Sequence, residues 1–273
     1  MGGKVVVVTG STRGIGKGLA REFLKRGHSV VVSGRTRSAV DQTTSEIMVD
    51  AVNGAHVVGI PCDVSNYDDV QSLWDRAVAA MGRVDIWINN AGQSNARFPV
   101  GRLSQDDVDS IPRTNLTGTI NGSRVSLAGM TKQGFGAIYN FEGFGSNGMR
   151  QRGISLYGAT KFAITYFNKC LERETRDTPV IVGLLSPGIV ITDLSIRDKE
   201  KVSPKQWEFT VKIYNILADR VETVTPWLVQ QVLQNTRHGA RFAWLTRGKS
   251  LWRFLSSRFR TTLDRFPELH REA

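Results

Sequence analysis

Short apolar runs alternate with longer amphipathic stretches from residue 4 almost to the end of the chain. The runs 4–9, 29–33, 56–60, 84–88, 136–141, 180–185 and 241–245 have the length of strands, and the first contains four consecutive valines. A short, continuously apolar, β-branched run suits a parallel strand buried on both faces. Between these runs, residues 14–26, 36–53, 66–81, 104–132, 155–176, 203–220 and 225–236 read as helices. Leu19, Ala20, Phe23 and Leu24 form the inner face of the first, and Val70, Leu73, Trp74, Ala77 and Val78 that of the third. Pro112 is expected to bend the long fourth helix. Asn115 inside it is a poor helix former, which marks its side chain for a task. Strands and helices in alternation with short connections predict an α/β fold, a doubly wound parallel sheet.

The chain has 273 residues, enough for one sizeable core, and no Pro-, Gly- or Ser-rich linker divides it. Residues 1–247 read as one catalytic domain and 248–273 as a basic, aromatic tail, helical over 250–266. No apolar run is long enough to span a membrane. Met1-Gly2-Gly3-Lys4 leads directly into a strand and leaves no room for a signal or transit peptide, and Val6 argues against N-myristoylation. Cys62 and Cys170 suit a reduced compartment, so a soluble cytoplasmic protein is expected. The four histidines are scattered, and no metal-ligand spacing occurs.

The net charge is +11, and it is uneven: from Arg237 onward nine basic residues face three acidic ones. No nucleic-acid-binding motif accompanies that charge. In the tail, Leu251, Trp252, Phe254, Leu255, Phe259 and Leu263 interleave with Arg253, Arg258 and Arg260. Two readings stand: a surface for an anionic membrane or a lipophilic substrate, or a helix docked on the sheet or on a partner subunit.

Three stretches carry candidate chemistry. The first strand runs into Thr9-Gly10-Ser11-Thr12-Arg13-Gly14-Ile15-Gly16 and then a helix. Glycines between strand and helix let the backbone approach a pyrophosphate, and the helix N-terminus favours its charge. The second strand ends in Gly34-Arg35, where an acid would select the free ribose hydroxyl of NAD. Arg35 with Arg13 suits a 2′-phosphate instead, so NADP(H) is predicted. Asp63, at the end of the third strand, can meet the adenine amino group. Tyr157 and Lys161 stand one helical turn apart on one face. A neighbouring ammonium lowers a phenol's pKa and equips the pair for proton transfer during carbonyl reduction.

Thr9-Gly10-x-x-x-Gly14-x-Gly16, Asn89-Asn90-Ala91-Gly92, Asn115, Tyr157-x-x-x-Lys161 and Pro187-Gly188-x-x-x-Thr192 resemble, in order and spacing, the short-chain dehydrogenase/reductase family. The resemblance covers residues 4 to about 193. It implies a single Rossmann-type domain with a seven-stranded parallel sheet flanked by helices. It implies that Tyr157 gives or takes the proton, that Lys161 holds the nicotinamide ribose and depresses the tyrosine pKa, and that Asn115 holds a relay water. Gly10 to Gly16 and Asn90, Ala91 and Gly92 would line the cofactor, with Asp63 and Val64 at the adenine. Pro187, Gly188, Ile189 and Thr192 would meet the carboxamide end. Homodimers or homotetramers built on the helices bearing Asn115 and Tyr157 are implied too.

One departure stands out. The family's substrate-orienting serine falls at Gly143 when the fifth strand is matched, or at Phe144 when residues are counted back from Tyr157, and neither has a hydroxyl. Glu142 or Ser146 is expected to take over that task, Glu142 only if protonated. The loop Glu142-Gly143-Phe144-Gly145-Ser146 resembles that of the chlorophyll b reductase branch, as do residues 185–194, Asn215-Ile216-Leu217-Ala218 and residues 242–260. That branch implies NADPH-dependent reduction of a formyl group on chlorophyll(ide) b to hydroxymethyl, or of another bulky apolar carbonyl compound. A generic carbonyl or 3-oxoacyl reductase and a cofactor-bound, non-catalytic regulator are the alternatives.

Overall fold

The computed structural model describes residues 3–95, 97–197, 199–200, 202–257 and 264–270. The expected strands are β1 (Val5–Val8), β2 (Ser29–Gly34), β3 (Val57–Pro61), β4 (Ile86–Asn89), β5 (Gly136–Phe141), β6 (Val180–Ser186) and β7 (Ala240–Ala243). They form one sheet in the order β3-β2-β1-β4-β5-β6-β7, and every pairing is parallel. The winding reverses between β1 and β4. A crevice therefore opens beyond the C-terminal ends of these strands, where doubly wound sheets take their ligands.

The valines of β1 explain the two-sided core. Val6 and Val8 face a cluster with Leu19 and Phe23 of α1 (Gly14–Leu24) and Leu228 of α9 (Val221–Gln234). Val7 faces the opposite cluster, with Leu73 and Trp74 of α3 (Tyr67–Met81) and Val125 of α5 (Gly118–Gln133). Side chains alternate along a strand, so four apolar positions in a row bury both faces. A third cluster joins Trp207, Val211 and Tyr214 of α8 (Pro204–Leu217) to Phe266 and Leu269 of the C-terminal segment. Among the described residues, no helix is long and apolar enough to cross a membrane.

Several elements differ from expectation. The predicted helix 36–53 is α2 (Arg37–Ile47) plus a 3₁₀ turn, Met48–Asp50. Asn53 and Gly54 then take left-handed conformations, φ 54 and 74°, that swing the chain into β3. The predicted helix 104–132 is broken rather than bent. Ser104 caps α4 (Gln105–Pro112) by accepting the Asp107 amide, a π-helical turn spans Arg113–Thr117, and α5 follows. Pro112 has no N–H to give the helix ladder, and the widened turn comes directly after it. A one-turn helix, α7 (Asp193–Ile196), was not predicted; Thr192 and Ser195 cap it reciprocally. In the tail, α10 (Arg247–Ser257) starts three residues earlier than expected and Asp264 to Phe266 are not helical, while Arg258, Phe259, Arg260 and Leu263 lie outside the described residues.

Candidate active site

The turn after β1 is built to let a ligand approach its backbone. Gly10 and Gly14 have φ of 63 and 53°, where a side chain would be strained. A Cβ on Gly16 would strike Gly10 O and Asn90 Nδ2. Ser11 turns inward, its Oγ donating to Val8 O at 2.7 Å and its amide to Ser33 O at 2.8 Å. Asn90 Nδ2 donates to Thr9 O at 2.9 Å and Gly10 O at 3.1 Å, and Ala91 N donates to Thr9 Oγ1. Asn90 thus braces the glycine turn. Thr12 O accepts from Thr43 Oγ1, and half-buried Ile15 packs on the core below. The α1 helix starts at Gly14 with no side-chain cap and no acid in its first turn. Its first amides and its dipole therefore face the crevice ready for an anion. Gly16 and the uncapped helix fit a dinucleotide pyrophosphate.

Arg13 and Arg35 are exposed, and within the described chain neither guanidinium is engaged by a hydrogen bond or ion pair. Asp63 Oδ1 accepts from Ser65 N at 2.9 Å and Ser65 Oγ at 2.8 Å. Val64 is buried, and its carbonyl accepts from Asn121 Nδ2.

Tyr157 and Lys161 lie on α6 (Ser155–Glu174), at the C-terminal ends of β4 and β5. Lys161 is 5 % exposed and donates from Nζ to Phe141 O at 3.1 Å. That Nζ is 5.8 Å from the Tyr157 ring centroid. The predicted lowering of the phenol's pKa is not what the chain alone produces. Burial pushes Tyr157 up to about 12. Burial also brings the Lys161 amine down to about 8, partly countered by the Glu142 carboxylate. Desolvation here outweighs the attraction of a distant ammonium. At neutral pH both groups keep their protons, the state a carbonyl reduction needs.

Asn115 sits fully buried in the π-helical turn. Its Oδ1 accepts from Gln93 N at 2.7 Å, and its Nδ2 donates to Gln93 O at 2.9 Å and Thr160 Oγ1 at 3.0 Å. The side chain therefore ties the loop after β4 to α6. Its main-chain carbonyl accepts from Thr119 Oγ1 at 2.7 Å.

The loop after β5 departs most from expectation. Glu142 is buried, and its carboxylate takes three hydrogen bonds from Arg241 of β7, at 3.0, 3.0 and 2.7 Å. Both carboxylate oxygens are thus engaged as acceptors of the guanidinium and are turned to Arg241, not to a carbonyl oxygen beside Tyr157. Ser146 Oγ accepts from Gly143 N at 3.0 Å and donates to Lys161 O at 3.2 Å, so its hydroxyl proton is engaged in holding the loop. Both side chains support the site rather than face Tyr157. Gly143, one of the two positions where the family's serine was expected, is the residue that meets the phenol: a Cβ there would collide with Tyr157 Oη.

The turn after β6 completes the crevice. Gly188 has φ 74° and packs under Leu245. Thr192 Cγ2 lies 3.3 Å from where a Cβ on Gly14 would stand, so the two turns face one another. Ile189 is held from behind by Asp219, whose amide donates to Ile189 O.

This arrangement has known counterparts. The family model for short chain dehydrogenase matches residues 4–203. The chain belongs to the short-chain dehydrogenase family. It is 35 % identical over 271 residues to the probable chlorophyll(ide) b reductase NYC1, chloroplastic, of Arabidopsis thaliana, an alignment covering 94 % of this chain and 53 % of that protein. It is also 35 % identical over 232 residues to the chlorophyll(ide) b reductase NOL, chloroplastic, of the same plant, covering 83 % and 64 %. The chain thus spans between half and two thirds of these relatives. Both names carry a chloroplast location, so the cytoplasmic expectation gains no support from them. Among solved structures, a short-chain type dehydrogenase/reductase from Mycobacterium marinum superposes with a TM-score of 0.78 at 23 % identity, over 89 % of this chain and 94 % of that one. The fold of this family member is therefore Rossmann-type.

Arg241, Asp219 and Thr160 escaped the sequence reading. A buried acid at the end of an apolar strand needs a partner, and that requirement asks for a cation near Glu142 without saying which one. Thr160 and Asp219 had no comparable signal.

Proposed function

We propose that this chain is an NADPH-dependent reductase of a bulky apolar carbonyl compound, with the formyl group of chlorophyll(ide) b as the leading substrate. The observation that carries the reading is the meeting of Tyr157, Lys161 and Gly143 beside the glycine cradle. Gly10 to Gly16 would hold the pyrophosphate, Arg13 and Arg35 the 2′-phosphate, and Asp63 and Val64 the adenine. Lys161 would hold the ribose, with Asn90, Ala91, Gly92, Pro187, Gly188, Ile189 and Thr192 around the nicotinamide end. The bound cofactor supplies the hydride. Tyr157 Oη gives its proton to the carbonyl oxygen, and the Lys161 ammonium stabilises the phenolate that remains. Gly143 leaves the phenol open to an approaching ring-bearing substrate. Phe162 and Tyr166, 56 and 69 % exposed along one face of α6, support assembly into a homodimer or homotetramer.

The lack of a hydroxyl at Gly143 favours a second reading, a cofactor-bound regulator without turnover. One assay separates the two: NADPH oxidation with a panel of aldehydes and ketones that includes chlorophyllide b. Turnover with large apolar carbonyls and little with 3-oxoacyl compounds supports the proposal. Binding of NADPH without turnover of any carbonyl favours the regulator, and preference for small or 3-oxoacyl substrates favours a generic reductase.

A further inference from the structure

Asp219 follows α8 and lies 3 % exposed beneath the basic C-terminal segment. Its carboxylate collects donors from three separate places. Trp244 Nε1 donates to Oδ2 at 2.6 Å, Arg253 reaches Oδ2 at 2.8 Å and Oδ1 at 3.1 Å, and Arg265 reaches Oδ1 at 2.8 Å. Burial works to raise this carboxyl, but the hydrogen bonds from Arg253, Trp244 and Arg265 outweigh it and hold the group below the usual carboxylate range. Arg253 also donates to Leu217 O, and Arg265 to Asn215 O. The backbone of Asp219 faces the other way. Its amide donates to Ile189 O at 3.0 Å, and its carbonyl accepts from Ile191 N at 3.0 Å, forming a parallel bridge to Val190. One residue thus joins the tail arginines to the turn that closes the crevice.

We infer that Asp219 is a positioning residue through which Arg253 and Arg265 fix the turn at Ile189–Ile191, so that the basic tail sets affinity for the nicotinamide half of the cofactor. The inference rests on the cofactor reading given above. A side chain gripped by two guanidiniums cannot rotate, and its peptide groups then hold the neighbouring turn in register. The glycine turn after β1 has its own braces, Asn90 and Ser11, and stands apart from this linkage. The tail's charge is in this way partly explained: two of its arginines point inward at one acid.

The full-length chain with Arg253→Met, Arg265→Met, both together, and Arg253→Lys tests this. Binding of NADPH is compared with binding of 2′-phospho-ADP-ribose, which lacks the nicotinamide. The double variant is expected to weaken NADPH about tenfold while leaving the fragment unchanged, and Arg253→Lys is expected to recover part of the loss. Unchanged NADPH affinity in the double variant overturns the inference. A parallel loss of both ligands also overturns it, because it marks general destabilisation, which a thermal melt then registers. If the wild-type chain binds neither compound, the cofactor reading itself fails and takes the inference with it. Binding of both by the wild type confines any failure to the tail.

Discussion

The two glycine-rich turns of this molecule, one after β1 and one after β5, look alike in sequence and differ in what holds them. The first is braced locally and by its neighbouring strand: Ser11 bonds back to Val8, and Asn90 reaches across from the end of β4. Its glycines let the turn close on itself and on Asn90 and Ala91, which leaves the uncapped start of α1 toward the crevice. The second is held from far away, by Arg241, which lies 99 residues from Glu142, and by the Lys161 backbone. Its Gly143 clears space for the chain's own Tyr157. Glycine spacing therefore identifies a cradle but does not say what the cradle receives.

Substituting the two turns in parallel breaks this comparison most strongly. Gly16→Val places side-chain atoms against Gly10 O and Asn90 Nδ2, neither of which can retreat without unmaking the turn. It is expected to cost on the order of 1–3 kcal/mol of stability and to abolish measurable nucleotide binding, read by a thermal melt and by titration. Gly143→Ser restores the family's hydroxyl yet drives a Cβ into Tyr157 Oη. Displacing the phenol by a fraction of an ångström to an ångström should lower kcat by about tenfold to a hundredfold with cofactor affinity kept. A gain in kcat would show that the phenol has room to yield.

The cradle's selectivity gives a smaller effect. Arg13→Ala and Arg35→Ala are each expected to weaken NADPH by about tenfold and leave NADH nearly unchanged, since the charge-assisted contacts exist only with the 2′-phosphate. Equal losses for both nucleotides would detach these arginines from cofactor choice.

The smallest effect is a shift along the pH axis. Lys161 has Glu142 as its neighbouring carboxylate, with Arg241 behind it, Tyr157 on its own helix and uncharged Asn115 on the π-helical turn. With the amine near 8, reduction should fall as pH rises through that value and the ammonium is lost. Glu142→Gln removes a charge that raises the amine's pKa, so this limb moves to lower pH in a kcat/KM profile. The same burial gives a stability signature. The folded amine sheds its proton near 8 and the unfolded one near 10.5, so across that window the unfolded chain binds more protons. The contribution of Lys161 to stability therefore rises with pH there, the reverse of the trend for a lysine that gains a salt bridge on folding.

Much of this was legible in the sequence, and the reasons differ by element. The strands were visible because a parallel strand buried on both faces needs an uninterrupted apolar run, as in Val5–Val8. The Tyr157 helix was visible because its apolar spacing continues without a breaker to Glu174. Asn115 drew attention as a poor helix former, but the π-helical turn around it depends on Pro112 upstream and on Gln93 and Thr160 from elsewhere. The roles of Glu142 and Asp219 were illegible because each is fixed by arginines distant in the chain, which no local pattern announces. The tyrosine's raised pKa was missed for a related reason: spacing places an ammonium near the phenol but says nothing of how dry the site is.

The central claim is that Tyr157 donates the proton in a carbonyl reduction. The most direct measurement is Tyr157→Phe, with NADPH binding and carbonyl-dependent NADPH oxidation followed in the same preparation. The account predicts NADPH affinity close to wild type and a kcat lower by roughly a hundredfold to ten-thousandfold. Wild-type turnover in Tyr157→Phe would contradict it.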